Sequence, residues 1–257
     1  MHLRWAERRY VGWSAAFVET NPSTRRILTD PFIDESRALM TQVIIIGGHG
    51  KIALRLAKIL HSRGDEVTSL IRNDAQSDDV TATGAQPLLA DVEKLDTAGL
   101  ASVLAGQDVV VWSAGAGGGD PKRTYAVDRD AAIRSMDAAQ SAGVDRYIMV
   151  SYFGAGPDHG VPEDDPFYAY AESKAEADEY LKKTDLEWTI LGPSALTDDP
   201  GTGRIDVTHK GDWKKGNTSR DNVAEVAADV ISEPSTIGAF IEFNDGSTPI
   251  AEAIKPA

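Results

Sequence analysis

Short apolar runs alternate along the chain with longer stretches whose apolar positions recur every three or four residues. Val43-Ile44-Ile45-Ile46 is a β-branched run and predicts a strand buried on both faces. Ile52, Leu56, Ala57, Ile59 and Leu60 follow at helical spacing, and Gly64 predicts the helix end. The same alternation continues downstream. Strands are expected at Val67–Ile71, Pro87–Ala90, Asp108–Trp112, Tyr147–Val150, Trp188–Leu191 and Ala239–Phe243. Helices are expected at Leu95–Leu104, about Lys122–Ala142, Phe167–Lys183 and Asp221–Ile231, the last capped by Ser219.

Repeated strand–helix alternation predicts an α/β fold: a Rossmann-type doubly wound parallel sheet with helices on both faces. Such sheets bind ligands at the carboxyl ends of their strands. Residues 47–50, 72–74, 91–92, 113–119, 151–165 and 192–203 should therefore share one edge. The loops at 154–165 and 192–216 are the expected substrate region of a single domain spanning 40–257. Residues 1–39 differ from the rest. They hold six Arg and five acids, lack a sustained period, and are broken by Asn21-Pro22 and Asp30-Pro31. They are expected to form a poorly ordered extension ahead of Met40.

Gly47, Gly48 and Gly50, with Ala53 three residues on, lie between the first strand and the first helix. This is the setting of a dinucleotide fingerprint. Glycines allow a sharp turn and a close backbone approach, and the helix offers its positive end to a pyrophosphate. Gly47, Gly48, His49, Gly50, Lys51 and Ile52 are therefore cofactor candidates. Both Gly47-x-x-Gly50-x-x-Ala53 and Gly48-x-Gly50-x-x-Ala53 are present, so the spacing does not choose between dinucleotide-binding families. Asp91, Val92, Ser113, Ala114 and Gly115, on later loops of the same edge, complete the candidate set. The second strand ends in Arg72 rather than in a carboxylate. An arginine fork suits a ribose 2′-phosphate, which favours NADP over NAD.

The formal net charge of −14 argues against a nucleic-acid partner. The absence of cysteine excludes disulfides, thiol catalysis and cysteine-ligated metal, and fits a reducing, cytoplasmic setting. No apolar run reaches 18 residues, so no membrane span is expected. The five histidines are scattered, and no metal site is expected. His159 reads as a surface residue of a mobile loop. The expected partner is a small-molecule substrate, with the chain acting as a monomer or homodimer.

Tyr170 and Lys174 are four apart and share a helix face. A nearby ammonium lowers a phenol's pKa, which makes Tyr170 a candidate proton donor to a carbonyl under reduction. Ser151, at the end of the fifth strand, is placed to hydrogen-bond the same oxygen.

From Met40 onward the chain resembles the atypical short-chain dehydrogenase/reductases of the NAD(P)H-binding type, the group that holds biliverdin reductase B-like flavin reductases. The matching stretches include Val43–Ala53, Leu70–Asn73, Val127–Ala131, Tyr147–Ser151, Tyr170–Lys174 with Ala177-Asp178, Pro200–Arg204 and Ser219–Ala224. The resemblance implies a Rossmann fold, an NADP-type cofactor, and Ser151, Tyr170 and Lys174 at the catalytic positions. Asp128 stands near where better-known members carry asparagine, and Ser113-Ala114-Gly115 replaces their Asn-Asn-Ala-Gly. The expected activity is NADPH-dependent reduction of a small carbonyl, quinone or flavin. The rival is an NADP-sensing regulator without chemistry, as in NmrA-like proteins.

Overall fold

The computed structural model describes residues 40–208 and 215–256. The expected extension at 1–39 lies outside the described residues.

The chain begins with β1 (Gln42–Ile46), α1 (Lys51–Arg63), β2 (Glu66–Ile71), the short α2 (Ser77–Thr81), β3 (Gln86–Leu89), α3 (Thr97–Leu104) and β4 (Val109–Trp112). Next come α4 (Pro121–Thr124), a π-helical turn (Tyr125–Ala131), α5 (Ala132–Ala142), β5 (Arg146–Val150), α6 (Tyr168–Leu181) and β6 (Glu187–Pro193). The last part holds β7 (Ala195–Thr197), β8 (Arg204–Val207), β9 (Asn217–Ser219), α7 (Arg220–Ile231), β10 (Ala239–Asp245), β11 (Thr248–Pro249) and α8 (Ile250–Ala253).

Among the described residues, nine strands form one sheet in the order β3-β2-β1-β4-β5-β6-β10-β8-β11. Pairing is parallel from β3 through β10; β8 runs antiparallel to both β10 and β11. β7 and β9 pair in parallel as a separate ribbon. The strand order reverses at β1, which lies between β2 and β4. That reversal opens a crevice at the carboxyl ends, where α/β sheets bind ligands.

All the expected strands are present. The short β7, β8, β9 and β11 lack enough length to show a period. The expected long helix Lys122–Ala142 is interrupted by the π turn. Tight i→i+4 geometry relaxes there, a feature frequent at functional sites.

The β1 run is buried on both faces because its side chains alternate. Val43 and Ile45 enter the core layer that includes Leu56 of α1 and Val226 of α7. Ile44 and Ile46 enter the opposite layer with Leu100 of α3, Met136 of α5 and Leu181 of α6. β4 divides in the same way, Val109 and Val111 to the first layer and Val110 and Trp112 to the second. The sheet is thereby fixed between two helix layers, with the glycine turn at its carboxyl edge.

Candidate active site

The turn after β1 is shaped by crowding. Gly47 sits at φ +85°, and a side-chain carbon on it would lie 2.5 Å from the Ala114 Cα. A side-chain carbon on Gly48 would overlap Ser69 on β2. The Gly48 N–H donates to the Leu70 carbonyl, and the Gly50 N–H to that of Gly47. Gly50 caps α1 without any side-chain hydrogen bond. The first-turn N–H groups of α1, on Lys51, Ile52 and Ala53, therefore remain available to an anion.

A cavity of about 250 Å³ opens over this turn. Gly47, His49, Gly50, Arg72, Asp91, Val92, Ser113, Ala114 and Gly115, all candidates from sequence, line it. Three candidates do not: Ile52 lines a neighbouring cavity instead, and the other two are Gly48 and Lys51. Gly48 is turned into β2, where its lack of a side chain serves packing. The Lys51 ammonium reaches away to Asp198, at 2.7 Å, so Lys51 offers only its backbone. His49 pairs through Nε2 with Asp79 at 2.8 Å. Burial works against the Asp91 carboxylate, but Lys94 and the Glu93 N–H outweigh it and hold its pKa below the ordinary value.

Two further residues of this cavity had no signal in the sequence. Arg123 donates through Nη2 to Glu93 Oε1 at 2.8 Å and through Nη1 to the Ala116 carbonyl at 2.5 Å. Glu93 also lies 3.7 Å from Arg72. Glu93 and Arg123 are 30 positions apart, and only the fold brings them together. Uncapped helix, glycine turn and a cleft walled by arginines form a cradle that fits a dinucleotide.

A second cavity, of about 620 Å³, adjoins the first; Gly50, Ser113, Ala114 and Gly115 line both. Its other walls include Ile52, Asp128, Ser151, Phe167, Tyr170 and Leu196. The ring of Tyr170 lies 5.1 Å from that of Phe167 and 5.6 Å from that of Tyr152. The expected substrate loops contribute little here. Leu196 comes from 192–216, but 154–165 supplies no lining residue, and its successors Pro166 and Phe167 do. His159 is not a surface residue: its side chain is 5 % exposed and pairs with Glu172 of α6 at 2.8 Å. Its Nδ1 accepts the Val161 N–H, so the ring ties the loop to the helix.

Ser151, Tyr170 and Lys174 lie close together, but not in the arrangement expected. Lys174 is buried and lines neither cavity; its Nζ donates to the Val150 carbonyl at 2.8 Å, with Met149 Sδ at 3.3 Å. Burial lowers its pKa, opposed by the carboxylates of Asp178 and Asp128. Those two aspartates also face Tyr170. Burial first, then Asp128, Asp178 and Tyr152, push the Tyr170 phenol far above its ordinary value. The expected lowering by Lys174 is therefore not found: burial of the phenol, with the two carboxylates adding to it, drives its pKa the other way. Ser151 is likewise not free to donate to a substrate oxygen. Its hydroxyl donates to Asp178 Oδ2 at 2.5 Å. Asp128, buried on the π turn, accepts the Ala116 N–H at 2.9 Å.

Such a sheet, with a nucleotide cradle at its reversal point and a catalytic-type cavity beside it, defines a dinucleotide-binding protein of oxidoreductase or epimerase type. The chain belongs to the NAD(P)H-binding family, which it matches over residues 47–234. It is 33 % identical over 217 residues to the uncharacterized sugar epimerase YhfK of Bacillus subtilis, covering 83 % of this chain and 99 % of that protein. A solved Bacillus halodurans structure, named as a candidate NAD-dependent epimerase/dehydratase, superposes with TM-score 0.77 at 30 % identity, covering 83 % of this chain and 98 % of that one. The oxidoreductase ylbE of Lactococcus lactis superposes with TM-score 0.72 at 28 % identity, covering 82 % and 94 %. Among the described residues no helix is long and apolar enough to cross a membrane, and no cluster of His, Cys, Asp or Glu suits a metal ion.

Proposed function

We propose that the chain is an NADP(H)-dependent oxidoreductase that reduces a flat, uncharged carbonyl, quinone or flavin. The carrying observation is the second cavity, which places Ser151 and Tyr170 beside an aromatic wall and shares four lining residues with the nucleotide cradle. A reduced nicotinamide held there supplies hydride. The α1 N-terminus and the glycine turn hold the pyrophosphate, and Arg72 favours a 2′-phosphate. Phe167 and Tyr170 present ring faces and edges that suit a planar substrate.

The sugar-epimerase name of the Bacillus subtilis relative fits this cavity less well. Its charged or hydroxyl-bearing lining side chains among the described residues are Ser113, Thr124, Asp128, Ser151 and Tyr170, with no Arg or Lys. A phosphorylated or nucleotide-linked sugar calls for cationic partners and many hydrogen bonds. The test is NADPH consumption against quinones, flavins, aryl aldehydes and ketones, with nucleotide sugars in parallel. Turnover on the planar acceptors supports the proposal; turnover on nucleotide sugars alone, or tight NADPH binding with no turnover on any acceptor, overturns it.

A further inference from the structure

The hydrogen bond between Ser151 and Asp178 leaves the site without the donor that its position suggested. Ser151 has one proton, and Asp178 Oδ2 holds it. Asp178 is fully buried, and its other oxygen, Oδ1, has no hydrogen-bond partner among the described residues. A carboxylate with one bare buried oxygen is poorly solvated, and protonation relieves that. Ser151 meanwhile lines the second cavity, whereas Asp178 does not. Among the described residues, Ser151 thus links this buried acid to the cavity.

We propose that Asp178 is a positioning residue that sets the direction of the Ser151 hydroxyl and, when protonated, delivers a proton through it. The proposal rests on the oxidoreductase reading above. In one state the carboxylate accepts from Ser151, and the serine shows only lone pairs to the cavity. In the other the Asp178 carboxyl donates to Ser151 Oγ, and the serine proton turns toward the substrate. As a carbonyl oxygen gains negative charge during reduction, it takes the Ser151 proton. A new O–H bond forms on the substrate as the Ser151 O–H bond breaks, and Ser151 Oγ takes the Asp178 proton. Asp178 is left as a carboxylate near the Lys174 ammonium, and water restores its proton.

The groups around Asp178 agree with this assignment. Lys174 and Lys182 favour its charged form and Glu179 opposes it, all from its own helix α6 or that helix's end. Across from it stand the phenols of Tyr147, Tyr152 and Tyr170, which its charge pushes upward. Burial dominates, raising the Asp178 pKa to about 6. An acid in that range exchanges protons near neutral pH far more readily than the raised Tyr170 phenol.

The test has two arms. The first uses the cofactor-free chain with carboxyl-¹³C aspartate, following the Asp178 signal against pH, assigned by its absence in Asp178→Asn. Ser151→Ala removes the hydroxyl that stabilises the carboxylate, so the titration should move upward. A midpoint in the ordinary aspartate range, or one that Ser151→Ala leaves in place, overturns the proposal. The second arm is the pH profile of kcat on an acceptor that native protein turns over. Native kcat should fall tenfold per pH unit above the Asp178 midpoint. Asp178→Asn should lower kcat on the order of 10²-fold or more and remove that limb, while Asp178→Glu restores it in part. Tyr170→Phe should retain the limb. A limb that vanishes in Tyr170→Phe and persists in Asp178→Asn overturns the proposal. Native protein inactive on every acceptor counts against the oxidoreductase reading alone, because the carboxyl titration is read without turnover.

Discussion

The Asp128 carboxylate accepts the Ala116 backbone N–H at 2.9 Å and thereby ties the glycine-rich stretch after β4 to the π-helical turn. Its other oxygen crowds Gly115, where a side-chain carbon would lie 3.1 Å away. Asp128→Ala should loosen residues 115–119, of which Gly115 borders both cavities and Gly117, Gly118 and Gly119 border the second. A hydrogen bond to a charged acceptor contributes about 1.5–3 kcal/mol, so NADPH affinity should fall roughly tenfold or more. Asp128→Asn keeps an acceptor and should bind nearly as native protein does. Calorimetric titration of the two variants is the measurement; equal losses would show that the charge, rather than the tether, matters.

Arg72 lines the cradle, with Glu93 3.7 Å away and the Asp91 carboxylate also feeling its charge. Arg72→Glu should weaken NADP binding by about 1.5–3 kcal/mol, toward the lower end because the side chain is more than half exposed. NAD, lacking the 2′-phosphate, should be affected much less. Titrating both nucleotides into native and variant protein gives the ratio, and an unchanged ratio would falsify Arg72 as the selector.

Gly47→Ala tests the turn. The backbone there is left-handed, and Ala114 occupies the space a methyl needs. Left-handed strain alone costs on the order of 1–3 kcal/mol. A loss near 2 kcal/mol should lower Tm by about 4–8 °C, accompanied by loss of nucleotide binding. Gly143→Ala, also at positive φ but with open space around it, should lower Tm less and spare binding. Thermal melts and calorimetry on the pair separate strain from overlap.

Asp178 makes stability depend on pH. Its folded pKa, about 6, is above its ordinary value of 3.8, so the folded chain holds a proton that the unfolded chain releases. The associated stability is complete below pH 4 and is lost as pH rises toward and through 6. The shift corresponds to at most about 3 kcal/mol. Asp178→Asn should therefore flatten the pH dependence of urea unfolding between those limits. A curve with the same slope in the variant would assign the effect to another group.

Much of the frame was legible before the fold was known. Val43–Ala53 carries strand, turn and helix start within eleven residues, each decided by local sequence. The Tyr170–Lys174 spacing did predict a shared helix, but not what the ammonium would meet. The direction of Lys174 is set by the Val150 carbonyl on β5 and by two aspartates, one of them on the π turn. Local spacing holds no record of such partners. Glu93 and Arg123, and Ser151 and Asp178, likewise meet only through the crossover connections that bring α4, the π turn and α6 together. His159 looked like a surface residue because its loop is rich in proline and glycine, yet Glu172 gives its ring a partner.

The four residues shared by the two cavities, Gly50, Ser113, Ala114 and Gly115, form the seam where the cavities meet. A molecule settling against one side of that seam restricts what the other side can do. The two occupants are then thermodynamically linked: whatever factor the nucleotide applies to substrate affinity, the substrate applies to nucleotide affinity. Small residues at these positions thus do more than make room, since they let one ligand report its presence to the other.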